Sequence, residues 1–183
     1  LISLSNNQIG LSTGDFRRWE KAQDDNSYFG KVLSISLNDG SYEIISKGHR
    51  NPQGLAMTKN SNFLVETEHG PVGGDEVNLN FMNNDNADLS NFGWPISSYG
   101  IEYDGSDPYK KSHEDNGFVE PLDYFVPSVG ISDIENYQNK LFVASMGDSI
   151  NEGDLTLYIY ELNNKNNIIN KKSVLINQSC LLY

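Results

Sequence analysis

The feature that most restricts the fold of this chain is a run of strands that repeats. "GLAMTKNSNFLVETE" from Gly54 has the same shape as "GISDIENYQNKLFVASM" from Gly130: a short strand, a polar turn, then an apolar strand. "LISLSNNQIGLSTGD" from Leu1 is another copy. Each is followed by a further strand ("KVLSISL", "EVNLNF", "LTLYIYEL") and then one more ("YEIISKG", "LDYFVPS", "KSVLINQ"). The apolar runs are short, rich in Val, Ile, Phe and Tyr, and bounded by turn residues, which favours strands over helices. The clearest are Lys31–Leu37, Tyr42–Lys47, Phe63–Thr67, Glu76–Phe81, Leu122–Val126, Lys140–Ser145 and Leu155–Leu162. The copies begin about 50 and then about 75 residues apart, the spacing of propeller blades with loop insertions. Four antiparallel strands per unit is the blade pattern. The chain therefore reads as all-β, a partial β-propeller domain over residues 1–183 with blades near 1–48, 54–126 and 129–178. A β-sandwich is the alternative. Propellers close with about 4–8 blades, so the chain is expected to be part of a longer molecule.

Charge narrows the partners. The 183 residues carry 25 acidic against 13 basic side chains, a net −12. Such a chain repels nucleic acid and anionic membrane surfaces but suits a neutral substrate or a bound cation. The lone Cys180 excludes an internal disulfide. No apolar run approaches the roughly 20 residues of a membrane span.

Two stretches carry the densest chemistry. "ETEHGPVGGDEVN", Glu66–Asn78, ends one blade strand and opens the next. Gly70 and Pro71 stand outside any ladder there, so their carbonyl oxygens are free to face a hard cation such as calcium. His69 is a hydrogen-bonding group or base, and Asp75 and Glu76 begin the following strand. "GHRNPQGL", Gly48–Leu55, precedes the partner strand. Arg50 offers a permanently charged fork for a carboxylate, and Asn51 both donates and accepts. Antiparallel pairing puts the start of one strand beside the end of its neighbour, so Arg50 and Asn51 are expected beside His69–Pro71 on one rim. In the long polar segment from Asn83 to Glu120, the oxygen side chains Asn84, Asn86 and Asp88 alternate. Counting from Asn84, the sixth position is Leu89 where a calcium loop needs Gly, so the segment reads as a plain loop.

"GHRNPQGLAM", "ETEHGPVGGDEVNL" and "NFGWPISSYGIEY", in that order, resemble the soluble quinoprotein glucose/sorbosone dehydrogenases, in particular their aldose sugar dehydrogenase branch. "YFGKVLSISL", "STGD" and "VPSVGIS…LFVASM" extend the resemblance over nearly the whole chain. It implies a six-bladed propeller that binds pyrroloquinoline quinone (PQQ) and calcium and oxidises aldose sugars to lactones, passing electrons to an external acceptor. It implies PQQ contacts from Arg50, Asn51, His69 and Asp75. It implies calcium on the carbonyls of Gly70 and Pro71, and a further calcium near Ser98, Gly100 and Glu102. It also implies a periplasmic or secreted protein and leaves monomer and homo-oligomer both open.

Two departures stand against this. The family's general-base His lies upstream of "HRNPQG", and the chain's only histidines are His49, His69 and His113; no catalytic base is assigned within it. The family's Lys after the "LFVASM" strand is replaced by Met146, Gly147 and Asp148. A non-catalytic calcium-binding propeller that holds a protein or sugar partner is the alternative function.

Overall fold

The computed structural model describes residues 1–5, 7–58, 63–82, 89–147 and 155–174. Among these, strands and short 3-10 turns are the only regular elements. No helix is long and apolar enough to cross a membrane.

The strands form three sheets. In the first, β1 (Ile2–Ser5), β2 (Gln8–Thr13), β3 (Lys31–Ser36) and β4 (Tyr42–Lys47) pair antiparallel in chain order. The second contains β5 (Pro52–Met57), β6 (Phe63–Glu68) and β7 (Asp75–Phe81). A short β8 (Ser90–Asn91) then returns to the first sheet and pairs parallel with β4, before β9 (Asp123–Phe125) completes the second. The third is β10 (Ile131–Tyr137), β11 (Lys140–Ser145), β12 (Leu157–Leu162) and β13 (Ile168–Val174).

This is the blade arrangement of a β-propeller, and β6 shows why a sandwich fails. A sandwich sheet has one wet face, yet in β6 every residue from Leu64 to Glu68 is buried. Its alternating side chains serve two neighbours. Leu64 joins Val32 and Leu55 in a core shared with the first sheet. Val65 joins Ala56, Val77, Ile131, Leu141 and Val143 in a core shared with the third. Gly54 lets those sheets approach: a Cβ there would lie 2.6 Å from the Ile134 nitrogen.

Two elements differ from the sequence reading. The last strand was expected to follow the apolar run "KSVLINQ" from Lys172; it runs instead over the more polar Ile168–Val174. An edge strand exposes most of its side chains and benefits from charge, which Lys171 and Lys172 supply, so its hydrophobic signal is weak. Residues 175–178 of the expected strand lie outside the described residues. The long segment read as plain loop contributes β8 to the first sheet. Asn84, Asn86 and Asp88 fall outside the described residues.

Candidate functional site

The same alternation that splits the core also builds the site. One face of β6 and β7 carries Glu66, Glu68, Glu76, Asn78 and Asn80, all buried. The opposite face carries Thr67 and Asp75, whose partners lie toward the third sheet: Thr67 Oγ1 donates to the Ser132 carbonyl at 2.5 Å.

Glu68 is the hub. Its Oε2 accepts the backbone N–H of Arg50 at 2.6 Å and of Asn51 at 3.4 Å. Its Oε1 accepts from Asn78 Nδ2 at 2.8 Å and lies 3.3 Å from His49 Nδ1. His49 is fully buried, and its Nε2 lies 2.8 Å from Ser46 Oγ. His49, Glu66 and Glu68 form the one His/Cys/Asp/Glu group among the described residues close enough to share a metal ion. The contacts just given already satisfy His49 and Glu68 within the protein. Burial first, and the nearby Glu68 second, push the Glu66 carboxyl well above 4.5, against the opposing hydrogen bond from Asn78. Folded Glu66 thus keeps a proton that the unfolded chain releases above pH 4.5, so its contribution to stability falls as pH rises through that window. Glu66→Gln keeps the shape of the protonated acid and abolishes the titration. It is expected to raise the melting temperature at pH 8 and to leave it unchanged near pH 4.5. Thermal melts at the two pH values check this.

The rim follows from this hub. With its backbone held by Glu68, Arg50 extends its guanidinium over the Trp94 ring at 5.3 Å. It donates through Nη1 to the His69 carbonyl at 3.1 Å and through Nη2 to Tyr103 Oη at 3.2 Å. The His69 N–H donates to the Asn51 carbonyl at 3.1 Å. Arg50, Asn51 and His69 therefore lie together. Gly70 and Pro71 follow, both buried, and among the described residues neither carbonyl accepts a hydrogen bond. The loop returns through Gly73 and Gly74, whose φ of +78° and +75° are open to glycine at little cost. A Cβ on Gly74 would stand 2.4 Å from the Gly100 nitrogen.

Asp75, expected beside the cofactor, engages protein with both oxygens. Oδ1 accepts from Gly70 N and Ser128 Oγ, and Oδ2 from Val129 N and Ile131 N, at 3.0–3.2 Å. It ties the rim loop to the start of the third sheet. The Ser98 and Gly100 carbonyls both accept from Lys111 Nζ, and Glu102 accepts from the Tyr109 hydroxyl. Where the family has Lys, Met146 is exposed and Gly147 donates to the Val129 carbonyl; Asp148 lies outside the described residues.

Arg50 and Asn51 open onto a cleft of about 840 Å³ that is also lined by Asp15, Phe16, Arg17, Trp19 and Tyr103; the Asp15 N–H donates to the Arg50 carbonyl at 2.9 Å. Ligand sites typically enclose about 300–1,000 Å³. Phe16, Trp19 and Tyr103 are exposed aromatics, and Arg17 adds a cation. Phe16, Arg17 and Trp19 are not among the site residues read from the sequence. Phe16 and Arg17 adopt φ of +52° and +62°, a sparsely populated region for such side chains. The signal available in the sequence was "RRWE" (Arg17–Glu20): two cations and an aromatic in a loop of an acidic chain. Asp15 is held by Trp94 Nε1 at 2.7 Å, so the Gly-Trp-Pro turn also anchors this wall.

Comparison with known proteins agrees with the rim motifs. The chain matches the Glucose / Sorbosone dehydrogenase family over residues 1–179. It is 38% identical over 115 residues to the aldose sugar dehydrogenase YliI of Escherichia coli (strain K12), covering 58% of this chain and 29% of that protein. It is 40% identical over 85 residues to quinoprotein glucose dehydrogenase B of Acinetobacter calcoaceticus, covering 40% of this chain and 16% of that protein. The structure of the soluble aldose sugar dehydrogenase from Escherichia coli in its apo-form has a TM-score of 0.76 and 26% identity, covering 96% of this chain and 53% of that one. The chain thus spans about half the length of that structure, and its alignments span less of the two relatives. A match from residue 1 to residue 179, on a blade fold with this rim, makes the chain a member of the glucose/sorbosone dehydrogenase family.

Proposed function

We propose that this chain is part of a six-bladed, PQQ- and calcium-dependent dehydrogenase that oxidises aldose sugars to lactones and passes the electrons to an external acceptor. The observation that carries the reading is the rim: the Arg50 guanidinium on the His69 carbonyl, next to Gly70 and Pro71 carbonyls without hydrogen bonds, with Arg50 and Asn51 in turn lining a cleft that also holds Arg17. When bound, PQQ supplies the two-electron acceptor and calcium a Lewis acid.

The donor set fits both groups. Gly70 and Pro71 offer two hard carbonyl oxygens, the ligand type calcium takes. Arg50 presents a cation for the carboxylates of the cofactor and balances negative charge that grows as the site is reduced. Its contacts with Trp94, His69 and Tyr103 hold the fork in one orientation, so little freedom is lost on binding. Asn51 is exposed beside it and adds a donor and an acceptor. His69 lines the inner side of the rim, with Nε2 buried and unpartnered. Asp75 acts from behind, fixing Gly70. The relatives' names support sugar oxidation and a quinone. A periplasmic or secreted location goes with this reading.

The test is a titration of the 183-residue chain with PQQ, followed by fluorescence of Trp19 and Trp94, in calcium and in EDTA. Saturable quenching that requires calcium is the expected result; quenching that is absent, or indifferent to calcium, rejects the reading. Met146 and Gly147 in place of the family Lys favour the alternative, a non-catalytic calcium-binding propeller that holds a protein or sugar partner, and absent quenching would select it.

Proton removal from a sugar hydroxyl needs a base within reach of substrate. His49 and His113 are 0% and 1% exposed and cannot touch one. The 183-residue chain with PQQ and calcium is therefore expected to turn over glucose about 10²–10⁴-fold more slowly than an intact quinoprotein, measured with a dye acceptor. Turnover at the intact rate, lost in His69→Gln, would make His69 the base instead.

A further inference from the structure

The oxygens expected to hold a further calcium after the Gly-Trp-Pro turn already surround a cation. Lys111 Nζ donates to the Gly100 carbonyl at 2.5 Å and the Ser98 carbonyl at 3.1 Å, and pairs with Asp107 Oδ1 at 2.7 Å. An ammonium has three N–H donors and no acceptor, so these three oxygens saturate it. Glu102, the remaining oxygen of the expected set, accepts the Tyr109 hydroxyl, and the Tyr109 ring lies 5.8 Å from the same ammonium. Calcium takes 6–8 oxygen ligands at about 2.3–2.6 Å. Two carbonyls already bound by an ammonium do not provide that set, and a second positive centre would sit against the first. The residues present do not fit the ion.

We propose that Lys111 is a built-in cation that closes this loop in place of a metal, and that it serves as a positioning residue for the rim. The backbone shows what it holds. Ser98 N donates to the Lys110 carbonyl and Lys110 N to the Ile96 carbonyl, both at 2.9 Å, so the two arms of the loop already pair. Lys111 adds the clamp that fixes Ser98 and Gly100 on one arm to Asp107 and Lys111 on the other. Gly100 is the wall behind the calcium loop: its missing Cβ would lie 2.9 Å from Pro71 Cδ and 2.4 Å from the Gly73 carbonyl. Val72 and Ile101 exchange backbone hydrogen bonds at 2.9 and 3.0 Å beside it. The ammonium therefore fixes, at one remove, the segment that carries the Gly70 and Pro71 carbonyls. A half-exposed lysine of the chain itself does this at any calcium concentration, so chelation leaves the outer wall in place. No part of this depends on PQQ.

Two measurements on the full chain without PQQ test it. Calcium bound per chain is counted by equilibrium dialysis at millimolar calcium for the wild type and for Glu102→Gln. The two counts are expected to be equal; loss of one ion in Glu102→Gln overturns the proposal, because the loop then holds calcium. Melting in EDTA is then compared for the wild type, Lys111→Met and Lys111→Arg. Lys111→Met is expected to melt about 2–4 °C lower, and Lys111→Arg, which keeps the charge, to lose less than half of that. Equal melting of Lys111→Met and wild type overturns it, as does equal loss in Lys111→Arg and Lys111→Met, since the cation would then not be the operative feature.

Discussion

Arg50→Ala is expected to weaken PQQ binding about 30- to 1,000-fold in the presence of calcium, equivalent to about 2–4 kcal/mol. The size follows from where the guanidinium sits. It is half-buried, stacked on Trp94 and hydrogen-bonded to the His69 carbonyl and to Tyr103. A cation held in that way meets a carboxylate without first losing rotamer freedom, and a partly dry site screens the pair less than water does. Removing it leaves Arg17, exposed and on a separate loop, as the cation lining the cleft. Arg50→Lys is expected to fall between wild type and alanine, because an ammonium keeps the charge but cannot span both the His69 carbonyl and Tyr103 as a planar fork does. Fluorescence titration of the three proteins separates these cases. Wild-type affinity in Arg50→Ala would move the cofactor away from this cleft.

The largest effect on stability is expected at Glu68. Glu68→Ala removes the acceptor for the Arg50 and Asn51 backbone N–H groups, for Asn78 Nδ2 and for His49. Each buried donor left unsatisfied is worth about 1–3 kcal/mol, so a loss of about 3–5 kcal/mol is expected, a large share of the roughly 5–15 kcal/mol that holds a domain folded. Glu68→Gln is a sharper test of the hub. Donors approach both carboxylate oxygens, so whichever way the amide turns, its NH₂ faces N–H groups. A loss of about 1–3 kcal/mol is expected even though size and shape are kept. Urea denaturation at pH 7 measures both; a change under about 0.5 kcal/mol in Glu68→Gln would show that the hub is not the source of the rim's rigidity.

The rim was legible in the sequence because its parts are local. Phe63–Thr67 alternates, Gly70-Pro71 ends the ladder, Gly73-Gly74 allows the return, and the "HRNPQG" turn feeds the neighbouring strand. Antiparallel pairing of β5 with β6 then leaves Arg50 no place but beside His69. The same period of two predicts strands and their order, since it depends only on which face each side chain takes.

Other features depend on distances that no short stretch encodes. Asp15, Trp94 and Tyr103 meet Arg50, and Arg17 and Trp19 line the same cleft, only after segments far apart in sequence pack together. Asp75 and Lys111 show the same limit from the other side. Their residue types suit a cofactor-side acid and a solvated surface lysine, and a sequence has no means of showing that backbone N–H groups of Val129 and Ile131 reach the first, or the Ser98 and Gly100 carbonyls the second. Strand periodicity is a property of neighbouring residues and survives in one dimension. Whether an oxygen faces a metal, an ammonium or a backbone N–H is decided by which groups desolvate it, and those arrive only with the tertiary structure.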